Sequence, residues 1–310
     1  MRCKVLLIAL IIISFCSNAY AIFAPEGKIT FRIIDEQGLP IAGVNASAGF
    51  RFPDIKYGGI TGTRSETLTS SDGLLVASGK TMDQVGYSAK KDGYYISQGT
   101  YHFKDSQNDR WLPWNPTVEV LLRKIENPMP MYQKDMEMSP VEFPVVGKEV
   151  GFDLIEYDWV SPYGKGKHPD IILKLTRQVV NNDNFESNIH ITFPNKYDGL
   201  LLIKDDRKGG SIFKLPRYAP ETGYQNSLTR HLKSFPGKPL ITDSKDDNNF
   251  IFRIRSEEED GKFVKAMYGK IYGDFLFEPR FSKTAVFGFK YFLNPDYTRN
   301  LEEGRNLFRK

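Results

Sequence analysis

The sequence predicts an all-β protein, and three observations carry that expectation. Apolar residues recur at every second position: Ile29, Phe31 and Ile33 alternate with Lys28, Thr30 and Arg32, and Phe250, Phe252 and Ile254 alternate with Ile251, Arg253 and Arg255. That is the period of a strand, whose successive side chains point to opposite faces. Aromatic residues make up 13% of the chain beside 26 Gly and 18 Pro, which suits many short strands joined by tight turns. No window sustains a helical period, although "YQNSLTRHLKSF" over 224–235 could form one short helix.

The first 21 residues read as an export signal. Arg2 and Lys4 precede an apolar run from Val5 to Phe15, and Ala19-Tyr20-Ala21 follows as a small-x-small cleavage site. The run is short for a bilayer span, so cleavage after Ala21 leaves no stable membrane span; a retained anchor is the alternative. Cys16 does not make a lipoprotein site, because the bulky Phe15 stands where a small residue is needed. Both cysteines, Cys3 and Cys16, fall inside the signal, so the exported chain lacks disulfides and thiolate metal sites. A chain of this length buries enough core without them. The expected location is secreted or periplasmic.

Removing Arg2 and Lys4 takes the formal charge from +4 to +2. A near-balanced chain has no concentrated basic face, so nucleic acid is not an expected partner.

From Gly27 the elements follow in order. "GKITFRII" is a strand; "DEQGLP" turns it at Gly38 and Pro40; "SSDGLLVASGK" and "GYSAKKDGYYIS" each place Asp-Gly beside a strand; "TVEVLLRK" closes the segment at Lys124. These residues resemble the carboxypeptidase-regulatory-like family: Asp35, Gly38, Pro40, Ile41, Gly43 and Val44, then Asp72 and Gly73, then Asp92, Gly93 and Tyr94. The resemblance covers about residues 27–124 and carries a longer excursion between Phe50 and Thr69. It implies a transthyretin-like or Ig-like β-sandwich of about seven strands, an accessory domain without catalytic residues. The first domain is thus expected over 22–124.

Residues 125–144 hold four prolines and four of the seven methionines. Proline suits neither a helix interior nor a central strand, so an extended linker is expected there. Residues 145–310 then read as the strands of a larger antiparallel sandwich or jelly roll. They include "EVGFDLIEYDWV", "DIILKLTRQVV", "NFIFRIRS", "AMYGKIYGDFLF" and "AVFGFKYFL". Glycines within the fourth suggest a bulge or a close backbone approach.

Chemistry is sparse along the chain. "YGKGKHPD" over 163–170 has the glycines and lysines of a phosphate loop. However, Ser161 stands where a Walker loop needs its first glycine, His168 follows Lys167, and a strand rather than a helix comes next. It is a turn with basic decoration. Trp159, Tyr163, Lys165, Lys167 and His168 gather there, and Arg217 and Tyr218 stand in a second aromatic, basic loop. Exposed aromatics stack on sugar rings and cations meet acidic groups, so these seven are the candidate binding residues; a buried Trp159 with solvated lysines is the competing expectation. Glu156, Asp158 and Asp170 flank the loop as candidate glycosidase carboxylates. The four histidines are isolated, no G-x-S-x-G elbow occurs, and the acidic run Asp243–Asn249 carries Lys245 where a calcium loop needs oxygen.

The expectation is an exported binding or structural protein without cofactor, metal or catalytic residues, its partner a polysaccharide or another envelope protein. The alternatives are a glycan-active enzyme with its site in the C-terminal domain, and an envelope assembly or adhesion component acting through exposed strand edges.

Overall fold

The computed structural model describes residues 24–54, 57–205, 209–280 and 283–309; the expected signal lies outside them. Those residues contain strands, turns and bends and no helix. The chain is all-β, as the alternation requires.

In chain order the first nine strands are β1 (Glu26–Ile34), β2 (Asn45–Pro53), β3 (Ile60–Leu68), β4 (Leu74–Lys80), β5 (Gln84–Lys90), β6 (Ser97–His102), β7 (Asp105–Gln107), β8 (Arg110–Leu112) and β9 (Thr117–Leu121). Next come β10 (Met129–Asp135), β11 (Val141–Glu142), β12 (Glu149–Asp153), β13 (Asp158–Trp159), β14 (Ile171–Asn181), β15 (Asn184–Thr192), β16 (Gly199–Lys204) and β17 (Gly210–Ser211). The last are β18 (Ser227–Ser234), β19 (Ile241–Thr242), β20 (Asn248–Glu259), β21 (Lys262–Glu278), β22 (Val286–Asn294) and β23 (Glu303–Asn306).

They form two compact units. Unit 1 runs to Glu126 and also takes in 207–214; unit 2 holds 127–206 and 215–310. In unit 1, β1 lies between β4 and the parallel pair β8 and β9, while the second sheet runs β17-β6-β5-β2-β3. Ile29, Phe31 and Ile33 of β1 face Ala46, Ala48 and Phe50 of β2 and Val85 of β5, all at most 1% exposed. The excursion between Phe50 and Thr69 is the β2–β3 hairpin, nine residue pairs long.

Unit 2 is a second, larger sandwich. One sheet runs β16-β20-β21-β22-β10-β23 with β11 beside β22, and the other β13-β12-β14-β15-β18-β19. Phe250, Phe252 and Ile254 on the first sheet, with Phe287, Phe289 and Tyr291 beside them, meet Phe152, Leu173, Leu175 and Ile189 on the second. Each such ring or aliphatic chain contributes roughly 1.5–3 kcal/mol when fully removed from water. β20 is buried on both faces, because Leu215, Ala219 and Leu301 cover Ile251 and Tyr268 on the side away from this core.

Three expectations change. The proposed linker 125–144 contains β10 and β11, and β10 sits inside its sheet, between β22 and β23. Pro130 is accommodated because the ladder to β23 shifts register between Met129 and Met131, so no bond from its nitrogen is required. The short helix expected within 224–235 is strand β18, paired with β15 over eight consecutive residues. Tertiary pairing overrides a marginal local preference there. The segment read as one strand, 149–160, is broken: Tyr157 has φ 55° and turns β12 into β13.

Glycines in β21 behave as their spacing suggests. A Cβ on Gly269 would lie 2.1 Å from the Phe252 ring, and Gly273 (φ 84°) marks the register shift between Tyr272 and Leu276. Gly269→Ala is expected to destabilise unit 2 by about 1–3 kcal/mol, since the β-carbon would displace a packed ring. Chemical denaturation followed by tryptophan fluorescence checks this; an unchanged midpoint would contradict it.

Candidate functional site

The loop "YGKGKHPD" closes over three carboxylates, the buried Asp153 and Asp170 and the half-buried Asp158. Asp153 is fully buried, and its Oδ1 accepts from the backbone N–H groups of Ile155 (2.9 Å) and Glu156 (3.0 Å). Its Oδ2 accepts from those of Lys167 and His168, both at 2.9 Å. Asp158 accepts from the Trp159 N–H (2.8 Å) and the Lys165 N–H (2.9 Å). Asp170 Oδ2 accepts from the Leu154 N–H (2.8 Å), and Arg255 grips both Asp170 oxygens at 2.6 and 2.9 Å while also reaching Asp153 at 3.0 Å.

These contacts explain the sequence of the loop. A Cβ on Gly164 would lie 2.3 Å from the Trp159 carbonyl and 2.5 Å from the Asp158 carboxylate; one on Gly166 would lie 2.7 Å from the Asp158 carbonyl. The glycines allow the backbone to approach the aspartates, and no phosphate is needed to account for them. Arg255 itself sits at φ 51°, a conformation costing a non-glycine residue about 1–3 kcal/mol, held here by its two carboxylates.

Burial pushes the Asp153 carboxyl up, but four backbone donors outweigh it and hold the group below its usual value of 3.8. Asp170 goes the other way: burial raises it despite the pull of Arg255.

The seven predicted binding residues do not form one site. Trp159 is 7% exposed, packs against Phe143 and Phe152 at ring-centroid distances of 5.2 and 5.0 Å, and donates from Nε1 to the Glu142 carbonyl. It is core and presents no stacking face. Tyr163, Lys165, Lys167 and His168 are exposed, and Lys167 pairs with Glu156. Arg217 forms an ion pair at 2.7 Å with the fully buried Glu302, so it is a structural cation. Its neighbour Tyr218 is exposed and bridges Asn300. The repeated Tyr-Gly-Lys triplet has no common role, since Lys270 lies buried within β21 and pairs with Glu303 while Lys165 is in an exposed loop.

A different surface has the shape of a site. The open face of the β3-β2-β5-β6 sheet in unit 1 forms a concavity of about 880 Å³. Because Ala46, Ala48 and Phe50 point into the core, Ser47, Gly49 and Arg51 of β2 point out of it. Register places Gly49 beside Gly86 and Ser47 beside Ser88, with Thr100 and Gln98 next along β6. The paired glycines leave the floor without side chains: a Cβ on Gly86 would meet nothing within 4 Å. Arg64 donates to Ser47 Oγ at 3.2 Å and pairs with Glu66 at 3.1 Å. Ser88 Oγ is buried with no hydrogen-bond partner among the described residues. Sequence reading missed this face. Its signal was the polar half of the same alternation that marked the core.

No protein-family model and no curated protein matches the chain. Among solved structures it is similar to BcpA, the major pilin subunit of Bacillus cereus, at 14% identity and TM-score 0.25, covering 86% of this chain and 67% of that one. It is also similar to the full-length major pilin SpaD from Corynebacterium diphtheriae, at 12% identity and TM-score 0.25, covering 89% and 80%. Function is therefore argued from this chain's own geometry.

Asp170→Asn is expected to destabilise unit 2 by about 2–4 kcal/mol, since it leaves the Arg255 guanidinium without its bidentate partner. The folded Asp153 carboxyl lies below its unfolded value of 3.8, so its contribution to stability is complete above that value and is lost as pH falls through the lower, folded one. Stability measured from neutral to acid pH should show this loss, and Asp153→Asn should flatten it; an unaltered acid limb would contradict the assignment.

Proposed function

We propose that this is an exported, non-catalytic binding protein whose ligand is an acidic polysaccharide, held in the groove on the open sheet face of unit 1. The observation that carries the reading is the glycine-floored concavity itself. Ser47, Ser88 and Thr100 offer hydroxyls, Gln84 and Gln98 offer amides, and Arg51 and Arg64 offer guanidinium groups. Hydroxyls and amides both donate and accept, which suits a hydroxyl-rich chain. Guanidinium groups suit its carboxylates or sulfates bidentately. The groove's floor is open enough for a sugar ring to lie against the backbone, and the unpartnered Ser88 Oγ is a polar group that a ligand would satisfy.

Unit 1 reads as a carboxypeptidase-regulatory-like domain, and its two-sheet architecture supports that reading. An accessory binding role fits such a domain. Export rests on the N-terminal signal, and no helix among the described residues is long and apolar enough to cross a membrane. The commitment of Asp153, Asp158 and Asp170 to backbone donors and Arg255 speaks against a glycosidase centre at that loop, where the acid and its partner carboxylate need to face substrate.

Retention of the full chain on immobilised alginate, heparin and dextran tests the proposal. Retention on the acidic polymers, weakened by salt, is expected. Gly86→Leu places a side chain into open groove space and should abolish retention with the fold intact. Arg51→Ala with Arg64→Ala should weaken it about tenfold or more, the loss of roughly 1.4 kcal/mol. No retention on any polymer, or equal retention by Gly86→Leu, would overturn the reading.

A further inference from the structure

Strand β17 lies at the β6 edge of the same sheet as the groove, against Gln98, Gly99 and Tyr87, which also line the groove. It belongs to unit 1 although its neighbours in the chain, β16 and β18, belong to unit 2. Gly210 and Ser211 pair antiparallel with Gln98 and Ser97 at the edge of β6, and the Ile212 N–H donates to the Ile96 carbonyl at 2.9 Å. This is strand addition by a short segment, in which backbone bonds give attachment and alternate side chains give selectivity.

Each position of the segment is read differently. A Cβ on Gly209 would lie 2.9 Å from Gly99 Cα and 2.8 Å from Tyr87 Oη, and the converse holds for Gly99, so two bare backbones approach where no side chain fits. Gly210 has φ 109°, which an L side chain rarely adopts. Ser211 is 4% exposed, and its Oγ accepts from the Phe213 N–H at 3.3 Å. Ile212 is 46% exposed and is not read. Phe213 is fully buried: its ring lies 5.1 Å from that of Tyr95 and 4.2 Å from the Arg123 guanidinium, which also donates to the Phe213 carbonyl at 3.1 Å. Glu36 holds Arg123 in place at 2.8 Å.

We propose that unit 1 recognises an extended Gly-Gly-Ser-x-Phe segment, that residues 209–213 are its resident ligand, and that a second copy of this chain supplies the same segment in trans. The second copy is the partner because it carries the identical ligand, and exchange reproduces every contact named above. Only two residues pair in the ladder, so the hold on the segment depends on Phe213. A single buried aromatic anchor in a short strand is the arrangement of an exchangeable peptide.

The test uses the full chain with Phe213→Ala and a fluorescent peptide of residues 209–214, Gly-Gly-Ser-Ile-Phe-Lys. Anisotropy should report binding about tenfold or more tighter than to the wild-type chain, whose own segment competes. Peptides carrying Gly210→Val or Phe213→Ala should not bind. If Phe213→Ala does not fold, Gly210→Val in the full chain displaces the same segment and takes the same peptide. Mixing Phe213→Ala with an Arg123→Ala chain should give a 1:1 complex by native mass spectrometry, competed by the peptide. Failure of the peptide to bind either variant, or equal binding of the altered peptides, overturns the recognition site; peptide binding without the mixed complex overturns the exchange between copies.

Discussion

A buried backbone N–H must find an acceptor, and this constraint governs the loops of unit 2. Strands satisfy one another, but the turns that join them carry donors with no ladder to enter. In the turns around β12, β13 and β14 the acceptors are carboxylates. Asp153 takes four backbone donors, and Asp170 and Asp158 take others. Asp198 repeats the device by accepting from the Ser256 N–H at 3.0 Å, and Glu302 accepts from that of Asn127 at 2.9 Å. A carboxylate buried alone would cost several kcal/mol; with its oxygens occupied and Arg255 or Arg217 alongside, it becomes a fixed corner of the fold. Asp153, Asp158 and Asp170 therefore organise the architecture around the basic loop.

The two units treat the outer face of a sheet differently. In unit 2 the side of β20 and β21 away from the main core is covered by Leu215, Ala219 and Leu301, while Arg253 lies over Tyr224 and Phe263 at 4.4 and 4.8 Å. In unit 1 the corresponding face of the β2–β5–β6 sheet is open, glycine-floored and polar. An uncovered sheet face that is hydroxyl-rich rather than apolar needs no partner for stability. It is thus available for a ligand. Pairing Gly49 with Gly86 costs strand propensity at two adjacent positions, and the groove depth is what that sacrifice yields.

Fold class was legible because alternation sorts residues between the two faces of a strand: Ile29, Phe31 and Ile33 enter one core and Phe250, Phe252 and Ile254 another, although the second face of β20 is covered as well. The linker was misread because proline at a register shift escapes the rule against central strands, and a register shift belongs to the pairing partner rather than to the local sequence. The strand at 227–234 was ambiguous for the same reason, since β15 and not its own period decides its state. The candidate loop was found as a turn, yet its residues were dispersed by burial: Trp159 went to the core and Arg217 to Glu302, while Tyr163 and the lysines stayed outside. Aromatic and basic residues clustered in sequence carry no information about which of them face water. The groove's polar half of the alternation went unread, and the Phe213 pocket was not visible because it joins Tyr95, Arg123 and Phe213, which are distant in the chain.

The central claim is that ligand recognition belongs to the open sheet of unit 1 and not to the basic loop after Trp159. Amide chemical-shift mapping of the full chain during titration with alginate oligosaccharides tests it most directly. The account predicts shifts clustered at Gly49, Gly86, Ser88 and Gln98, with Lys165, Lys167 and His168 unmoved. Shifts concentrated at Lys165, Lys167 and His168, with the sheet of unit 1 unaffected, would contradict it.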